Sequence, residues 1–149
     1  MKDNFSSHSS QYAKYRPGYP PELFDFLKDK VWDKGTVWDC GTGNGQVAAE
    51  LAKFFSKVEA TDISRQQLEN ALKMPNINYS VQRAEKTSFP DAHFNLITVA
   101  QAIHWFDFEA FYTEVRRTLK PEGILAVMGY GLFRSNDATD KVIQHFYEQ

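Results

Sequence analysis

The sequence predicts an α/β fold, a doubly wound and mostly parallel sheet of about five strands with helices on both faces. Short apolar runs typical of strands alternate with apolar residues at helical spacing, and this alternation is typical of a parallel sheet with right-handed crossovers. Directly after the first apolar run, three glycines stand at alternate positions and a helical pattern follows. That order is typical of a strand, a tight turn and a helix.

The five predicted strands are short and mostly apolar. The first ends in the acid Asp39 and the second in the acid Asp62. The fourth is apolar almost throughout, which is typical of a strand buried on both faces. In chain order the strands are predicted at residues 36–39, 57–62, 77–81, 94–100 and 124–128.

Helices are predicted between the strands, because apolar residues recur there at helical spacing. Pro21 suits the first position of a helix over residues 21–30, and Ser64 suits an N-cap. A last helix is predicted from about residue 137 to the end. The apolar faces of the other helices are Val47, Leu51, Phe54 and Phe55, then Leu68, Ala71 and Leu72, then Phe108, Phe111, Tyr112, Val115 and Leu119.

The glycine-rich turn is a candidate ligand site. Gly41, Gly43 and Gly45 allow a positive φ and let a ligand approach the backbone without a Cβ in the way. The N-terminus of the helix that opens near Gln46 favours an anionic group, so a nucleoside carrying a carboxylate or phosphate fits. The alternative is a turn without a ligand. In a dinucleotide fingerprint, G-x-G-x-x-G, two residues separate the second glycine from the third, whereas a single residue separates them in the G-x-G-x-G found here.

The acid at the end of the second strand is a candidate sugar ligand. The carboxylate of Asp62 can accept hydrogen bonds from both hydroxyls of a ribose, and Ile63 can pack on the adenine. The alternative is that Asp62 only caps the following helix.

Composition limits the other function classes. The 149 residues suit one domain over the whole chain, and 42% hydrophobic content is typical of a globular protein. A net charge of −2 gives no electrostatic reason to expect nucleic acid as a partner. The single cysteine, Cys40, excludes an internal disulfide and a cysteine metal cluster, and it is expected to be buried. No apolar run is long enough to span a membrane, so a cytoplasmic protein is expected.

The segment Asp39-x-Gly41-x-Gly43-x-Gly45 resembles motif I of the class I S-adenosylmethionine (SAM) methyltransferases. The strings over residues 15–20, 98–106 and 119–123 are similar to one subgroup, the methyltransferase type 11 or trans-aconitate-methyltransferase-like proteins. The resemblance extends over residues 12–127 and implies a Rossmann-like fold with SAM as cofactor and S-adenosylhomocysteine as product.

The resemblance implies a role for several residues at the carboxyl ends of the strands. Asp39 would support the loop and the methionine ammonium, while the backbone of the glycine loop, with Thr42, would pass under the methionine part of the cofactor. Backbone near Ala84 would meet the adenine edge, and Glu85 would order that loop. Arg83 stands where many relatives have an acid. The cofactor-binding residues predicted in this way are Tyr15, Arg16, Asp39, Gly41, Thr42, Gly43, Gly45, Asp62, Ile63, Ala84, Glu85 and Gln101.

Tyr15 and Arg16 lie in a segment that folds over the cofactor in the subgroup, within an N-terminal arm of residues 1–20. They are candidates for a lid over the cofactor and for the partner of its carboxylate. The alternative for Arg16 is that its side chain lies on the solvated surface and binds nothing. His104 is the candidate general base, because an imidazole can take a proton at neutral pH. The alternative is that His104 packs beside Trp105 and shapes the site.

The predicted function is methyl transfer to a small-molecule acceptor, a carboxylate or a hydroxyl. A carboxylate acceptor needs no base, because it is already deprotonated. Two other classes stay open: a nicotinamide-dependent oxidoreductase of the same fold, and a SAM-binding domain that assembles with a partner and does not catalyse.

In the subgroup the sheet has seven strands, and the last two form a hairpin beside strand five. The sequence after strand five contains one predicted helix and no such hairpin. Strand five would then be an open edge, which favours pairing with another strand. A homodimer through this edge, or through residues 129–133 and the last helix, is therefore expected. The competing interpretation is a fragment of a longer protein.

Overall fold

The computed structural model describes residues 18–130 and Lys141. Tyr15 and Arg16, most of the predicted N-terminal arm and the predicted last helix lie outside these residues. The predictions made for them therefore stay predictions.

The described chain contains a five-stranded sheet in which every pairing is parallel, with the strand order β3-β2-β1-β4-β5. From the central strand β1 the chain adds β2 and β3 on one side, and it then crosses back to add β4 and β5 on the other side. The strand order therefore reverses between β1 and β4, and α/β sheets bind ligands at such a point. The predicted fold class is confirmed. The strands are β1 (Thr36–Cys40), β2 (Lys57–Asp62), β3 (Ile77–Val81), β4 (Phe94–Ala100) and β5 (Leu119–Met128).

The described residues contain four α-helices, of which the first precedes β1 and the other three connect strands. Pro21 occupies the first turn of the first helix, and the Ser64 hydroxyl accepts a hydrogen bond from the Gln67 N–H, as the sequence predicts. Asp107 caps the fourth helix in the same way, through the Ala110 N–H. The helices are α1 (Pro21–Lys30), α2 (Gln46–Leu51), α3 (Arg65–Glu69) and α4 (Phe108–Thr118), with a short 3₁₀ turn at Ile103–Trp105.

Apolar side chains pack on both faces of the sheet. On one face, Val37 and Val58 pack with Leu27 of α1 and Leu51 of α2. The opposite face is covered by α4, and its cluster includes Trp38, Cys40, Phe94, Phe111 and Val115. All seven residues of β4 are buried, which confirms that this strand lies inside the sheet.

The apolar face predicted for α4 is partly wrong. Phe111 and Val115 are buried, but Phe108 and Tyr112 are exposed, while Glu114 and Thr118 are buried instead. The buried polar residues are accommodated because Glu114 is hydrogen-bonded to a neighbouring loop, as described below. Leu72, predicted for the face of α3, is also exposed, because that helix ends at Glu69.

β5 is longer than predicted and contains an irregularity. It begins at Leu119, opposite Phe94, whereas Ile124 lies opposite Leu96. The stretch between these two pairs accommodates Pro121 and Gly123, which disfavour regular pairing. Among the described residues, β5 forms one edge of the sheet and β3 the other.

Candidate functional site

The glycine loop follows the carboxyl end of β1, and its backbone has the conformation that the sequence predicts. The φ angles of Gly41, Gly43 and Gly45 are 69°, 58° and 80°. A residue with a Cβ is strained in this region, whereas glycine is not. The loop also lies close to the chain after β4. A Cβ built on Gly41 would lie 2.9 Å from the Ala102 Cβ and 3.4 Å from the Phe106 ring.

Asp39 is buried at the base of the glycine loop. Its two carboxylate oxygens accept hydrogen bonds from the hydroxyl of Thr42, at 2.6 Å, and from the hydroxyl of Thr98, at 2.7 Å. Thr98 lies directly opposite Asp39 in the register of β1 and β4. Asp39 therefore connects the loop to the neighbouring strand, which agrees with the predicted support of the loop. Sequence reasoning missed Thr98, although a hydroxyl in an otherwise apolar strand was a usable signal.

Asp62 and the glycine loop are in direct contact. The Asp62 carboxylate accepts hydrogen bonds from the Gly43 N–H and from the Ser64 N–H, each at 2.9 Å. Ser64, rather than Asp62, supplies the side-chain cap of α3. Each carboxylate oxygen has a second lone pair, so these bonds are compatible with further acceptance from a diol. Ile63 follows directly and is half-buried. The ribose and adenine roles of Asp62 and Ile63 stay predictions.

Ala84 and Glu85 form a tight turn after β3. A bridge between Arg83 and Lys86 closes this turn, and Ala84 is buried in the core cluster that contains Trp38. The Glu85 carboxylate accepts a hydrogen bond from the Asp107 N–H at 3.1 Å. Glu85 therefore joins the turn to the start of α4, and this contact suits the loop-ordering role predicted for it.

The loop after Ala84 and Glu85 is also held by the middle of α4, through residues that sequence reasoning missed. The carboxylate of Glu114 accepts from the Thr87 N–H, at 2.8 Å, and from Arg117, at 2.6 Å. Arg117 in turn donates to the Phe89 carbonyl and to Asp91. Burial alone would raise the pKa of Glu114, but hydrogen bonds from Arg117 and Thr87 outweigh it and lower that pKa. The i, i+3 spacing of Glu114 and Arg117 was a weak signal for this network.

The chain that follows β4 carries Gln101 and His104. Gln101 has a φ of 53°, which is uncommon for a residue with a side chain, and its N–H donates to the Met128 carbonyl at 3.0 Å. His104 is exposed in the 3₁₀ turn, with its ring centroid 4.8 Å from that of Trp105. Strained residues concentrate at functional sites, so the backbone of Gln101 supports a site at this strand end.

Two other titratable groups lie beside the loop. Cys40 is fully buried, as predicted, and burial together with the charge of Asp39 raises the pKa of its thiol. This environment does not suit a nucleophile. Tyr79 lies against Gly45 and donates to the Leu72 carbonyl, and burial with the Asp39 charge raises its pKa to about 12. Both groups are therefore neutral at physiological pH.

The described part of the chain thus brings together the glycine loop, Asp39, Asp62 and the segment of residues 102–106 at one edge of the sheet. Backbone without side chains, followed by an acid at the end of β2, fits a nucleoside cofactor with a charged tail. No helix over residues 18–130 is long and apolar enough to cross a membrane. Over the same residues, His, Cys, Asp and Glu form no group of three or more that could hold a metal ion.

Comparisons with known proteins agree with this geometry. A family model described as a methyltransferase domain matches residues 38–127. A protein of Dictyostelium discoideum named as a methyltransferase is 40% identical, over 98% of this chain and 57% of its own length. Further curated relatives are matched over about half of their length, so the chain spans little more than half of these proteins.

Solved structures show the same fold. A protein from Anaeromyxobacter dehalogenans, described as a type II methyltransferase, superposes with a TM-score of 0.78 at 39% identity, over 90% of this chain and 57% of that one. A protein from Methanococcus maripaludis, described as a SAM-dependent methyltransferase, superposes with a TM-score of 0.74 at 23% identity, over 98% and 72% of the two chains. The family model matches more than half of the chain, and this match is sufficient to assign the chain to the family. The chain belongs to the methyltransferase type 11 domain family, whose members use S-adenosylmethionine as their cofactor.

Proposed function

We propose that this chain binds SAM at the carboxyl ends of β1, β2 and β4 and transfers its methyl group to a small-molecule acceptor, a carboxylate or a hydroxyl compound. The observation that carries the proposal is the hydrogen bond between the Asp62 carboxylate and the Gly43 N–H. It joins the acid expected to bind the ribose to the loop expected to bind the methionine. A net charge of −2 favours a small molecule over nucleic acid as the acceptor.

The proposed role of the site residues is to bind the cofactor and to orient its methyl group toward the acceptor. The cofactor supplies a methyl group on a positively charged sulfur, which is already an electrophile. The glycine loop would hold the methionine part, and Asp62 would accept from the ribose hydroxyls. Ala84 and Glu85 would lie at the adenine, on a turn that Glu85 joins to the start of α4 and that continues into the loop held by Glu114. Such positioning can supply roughly 7–11 kcal/mol of the barrier reduction.

His104 is the proposed proton acceptor when the acceptor is a hydroxyl. Its imidazole is exposed on the segment of residues 102–106, in which Ala102 and Phe106 pack against Gly41 of the loop proposed to hold the methionine part. An imidazole can take a proton at neutral pH. With a carboxylate acceptor, His104 would shape the site beside Trp105 and carry no proton.

A turnover assay tests the proposal. The protein would be incubated with SAM and a panel of hydroxyl and carboxylate compounds, and S-adenosylhomocysteine would be measured by mass spectrometry. We expect acceptor-dependent product, reduced at least tenfold in Gly43→Val. Cofactor binding without product across the panel would favour the alternative of a non-catalytic SAM-binding domain.

Self-association is a second part of the proposal. β5 is the edge strand on its side of the described sheet, and its Val127 side chain is exposed. An open apolar edge favours pairing with a second strand, so we propose a homodimer through this edge. Sedimentation velocity at micromolar concentration tests it: a dimer is expected, and a monomer would contradict the proposal.

A further inference from the structure

Tyr79 of β3 lies directly against the third glycine of the loop. A Cβ built on Gly45 would overlap the Tyr79 hydroxyl oxygen and would lie 3.0 Å from Cζ of its ring, so glycine is needed for this close approach. Gly45 immediately precedes α2, and its N–H donates to the Thr42 carbonyl at 3.1 Å. Tyr79 therefore contacts the loop at the point where the loop becomes a helix.

The hydroxyl of Tyr79 also supports the loop through the chain that follows α3. It donates to the Leu72 carbonyl at 2.5 Å, and the Leu72 N–H donates to the Asn44 carbonyl at 3.0 Å. Burial and the charge of Asp39 raise the pKa of Tyr79 to about 12, so the hydroxyl keeps its proton at physiological pH. The backbone of Leu72 thus connects the hydroxyl of Tyr79 to the loop residue just before Gly45.

The contacts of Tyr79 complete the support of the glycine loop. Two carboxylates hold its earlier part, because Asp39 binds the Thr42 hydroxyl and Asp62 binds the Gly43 N–H. Tyr79 supports the part that follows. A ligand that lies along backbone binds more tightly when the fold has already ordered that backbone, because binding does not then pay the conformational entropy.

We propose that Tyr79 is a positioning residue for the cofactor, and that its hydroxyl orders residues 44–45 of the glycine loop before SAM binds. This inference rests on the proposed function and extends it to a residue of β3 that acts through the loop. The hydroxyl is not required to touch the cofactor. Its loss should therefore weaken cofactor binding while the loop and the fold persist.

The test compares two variants that act at opposite ends of α2. Tyr79→Phe removes the hydroxyl beside the loop that precedes α2, and it keeps the aromatic ring. Asn76→Ala is the matched control. Asn76 directly precedes β3, and its side-chain amide donates to the carbonyls of Ala52 and Phe55, at 2.8 and 3.1 Å, just after α2.

Calorimetry with S-adenosylhomocysteine and urea unfolding are measured for both variants. Both are expected to lower the urea midpoint, because each loses hydrogen bonds of the folded state. Tyr79→Phe is expected to raise the dissociation constant of S-adenosylhomocysteine about threefold to tenfold, whereas Asn76→Ala is expected to leave it within about twofold of the wild type. Unchanged affinity in Tyr79→Phe, or equal losses of affinity in the two variants, would overturn the inference.

Amide hydrogen exchange in the unliganded protein tests the ordering of the loop itself. The Leu72 and Gly45 N–H groups donate to the Asn44 and Thr42 carbonyls of the loop. Tyr79→Phe is expected to speed exchange at these two N–H groups at least about threefold, because the loop opens more often, and Asn76→Ala is not. Unchanged exchange at both groups in Tyr79→Phe would overturn the inference.

The outcome for the wild type separates this inference from the proposed function. Failure of the wild-type protein to bind S-adenosylhomocysteine would overturn the proposed function and this inference with it. Binding by the wild type that Tyr79→Phe leaves unchanged would overturn this inference alone.

Discussion

Replacing Asp62 by Ala is the most informative single change in the site. The Asp62 carboxylate accepts from the Gly43 N–H and the Ser64 N–H, each at 2.9 Å. The substitution removes both acceptors and also the proposed partner of the ribose hydroxyls. Affinity for the cofactor and stability of the fold are therefore both expected to fall.

The size of each effect follows from the hydrogen bonds. A hydrogen bond to a charged group contributes about 1.5–3 kcal/mol. Loss of the charge-assisted pair to the ribose is expected to cost about 2–4 kcal/mol of binding free energy, or roughly 30-fold to 1,000-fold in dissociation constant. Loss of the bond to Gly43 is expected to lower the unfolding free energy by about 1–3 kcal/mol, because a backbone N–H loses its partner.

Calorimetry with S-adenosylhomocysteine and urea unfolding measure the two effects separately. Glu59→Gln is the matched control, since Glu59 is a buried acid on the same strand whose partners are Lys57 and Asn78. The control is expected to affect stability and leave affinity unchanged. Glu85→Ala is expected to reduce affinity less than Asp62→Ala. Equal affinities of the wild type and the Asp62 variant would refute the ribose assignment.

Three further predictions use other parts of the site. Gly43→Val is expected to abolish detectable cofactor binding in calorimetry while circular dichroism shows a folded protein, because valine is strained at a φ of 58°. Unchanged affinity in this variant would show that the cofactor does not bind at the glycine loop. Thr98→Val is expected to lower the urea unfolding free energy by about 1.5–3 kcal/mol, because buried Asp39 loses a hydrogen-bond donor at 2.7 Å. The control is Thr118→Val, whose hydroxyl donates to a carbonyl of its own helix, and a loss in Thr98→Val no larger than in this control would contradict the prediction. Because folding lowers the pKa of Glu114, its carboxylate stabilises the fold at pH values above the unfolded carboxyl pKa of about 4.3, and this stabilisation is lost as the pH falls through the folded pKa. Glu114→Gln should therefore reduce the change in urea unfolding free energy between neutral and acidic pH. An unchanged pH profile in the variant would contradict this prediction.

Most of the fold could be predicted because its determinants are local in sequence. The apolar run of β4, the N-cap at Ser64 and the three glycines each specify their own backbone conformation. The same holds for the acid at the end of β2, whose position in the strand sets its position at the carboxyl edge of the sheet. These features agree with one another, and such agreement makes a fold predictable.

The errors and omissions have a common physical cause, because each depends on contacts between distant segments. Phe108 has helical spacing with Phe111, and Tyr112 has it with Val115, yet Phe108 and Tyr112 are exposed, since the sheet contacts the other side of α4. Glu114 is buried because it binds Thr87, which lies 27 residues away along the chain. Hydrophobic spacing shows which residues can be buried, and it does not show what a neighbouring loop will offer them.

The central claim is that the glycine loop and Asp62 form a SAM site, and one measurement tests it most directly. Wild-type protein is titrated with S-adenosylhomocysteine and, separately, with a nicotinamide dinucleotide, with heat as the readout. S-adenosylhomocysteine is predicted to bind at a single site, and the dinucleotide is predicted not to bind, because the loop has the G-x-G-x-G spacing. Binding of the dinucleotide without binding of S-adenosylhomocysteine would contradict the claim and would indicate an oxidoreductase of the same fold.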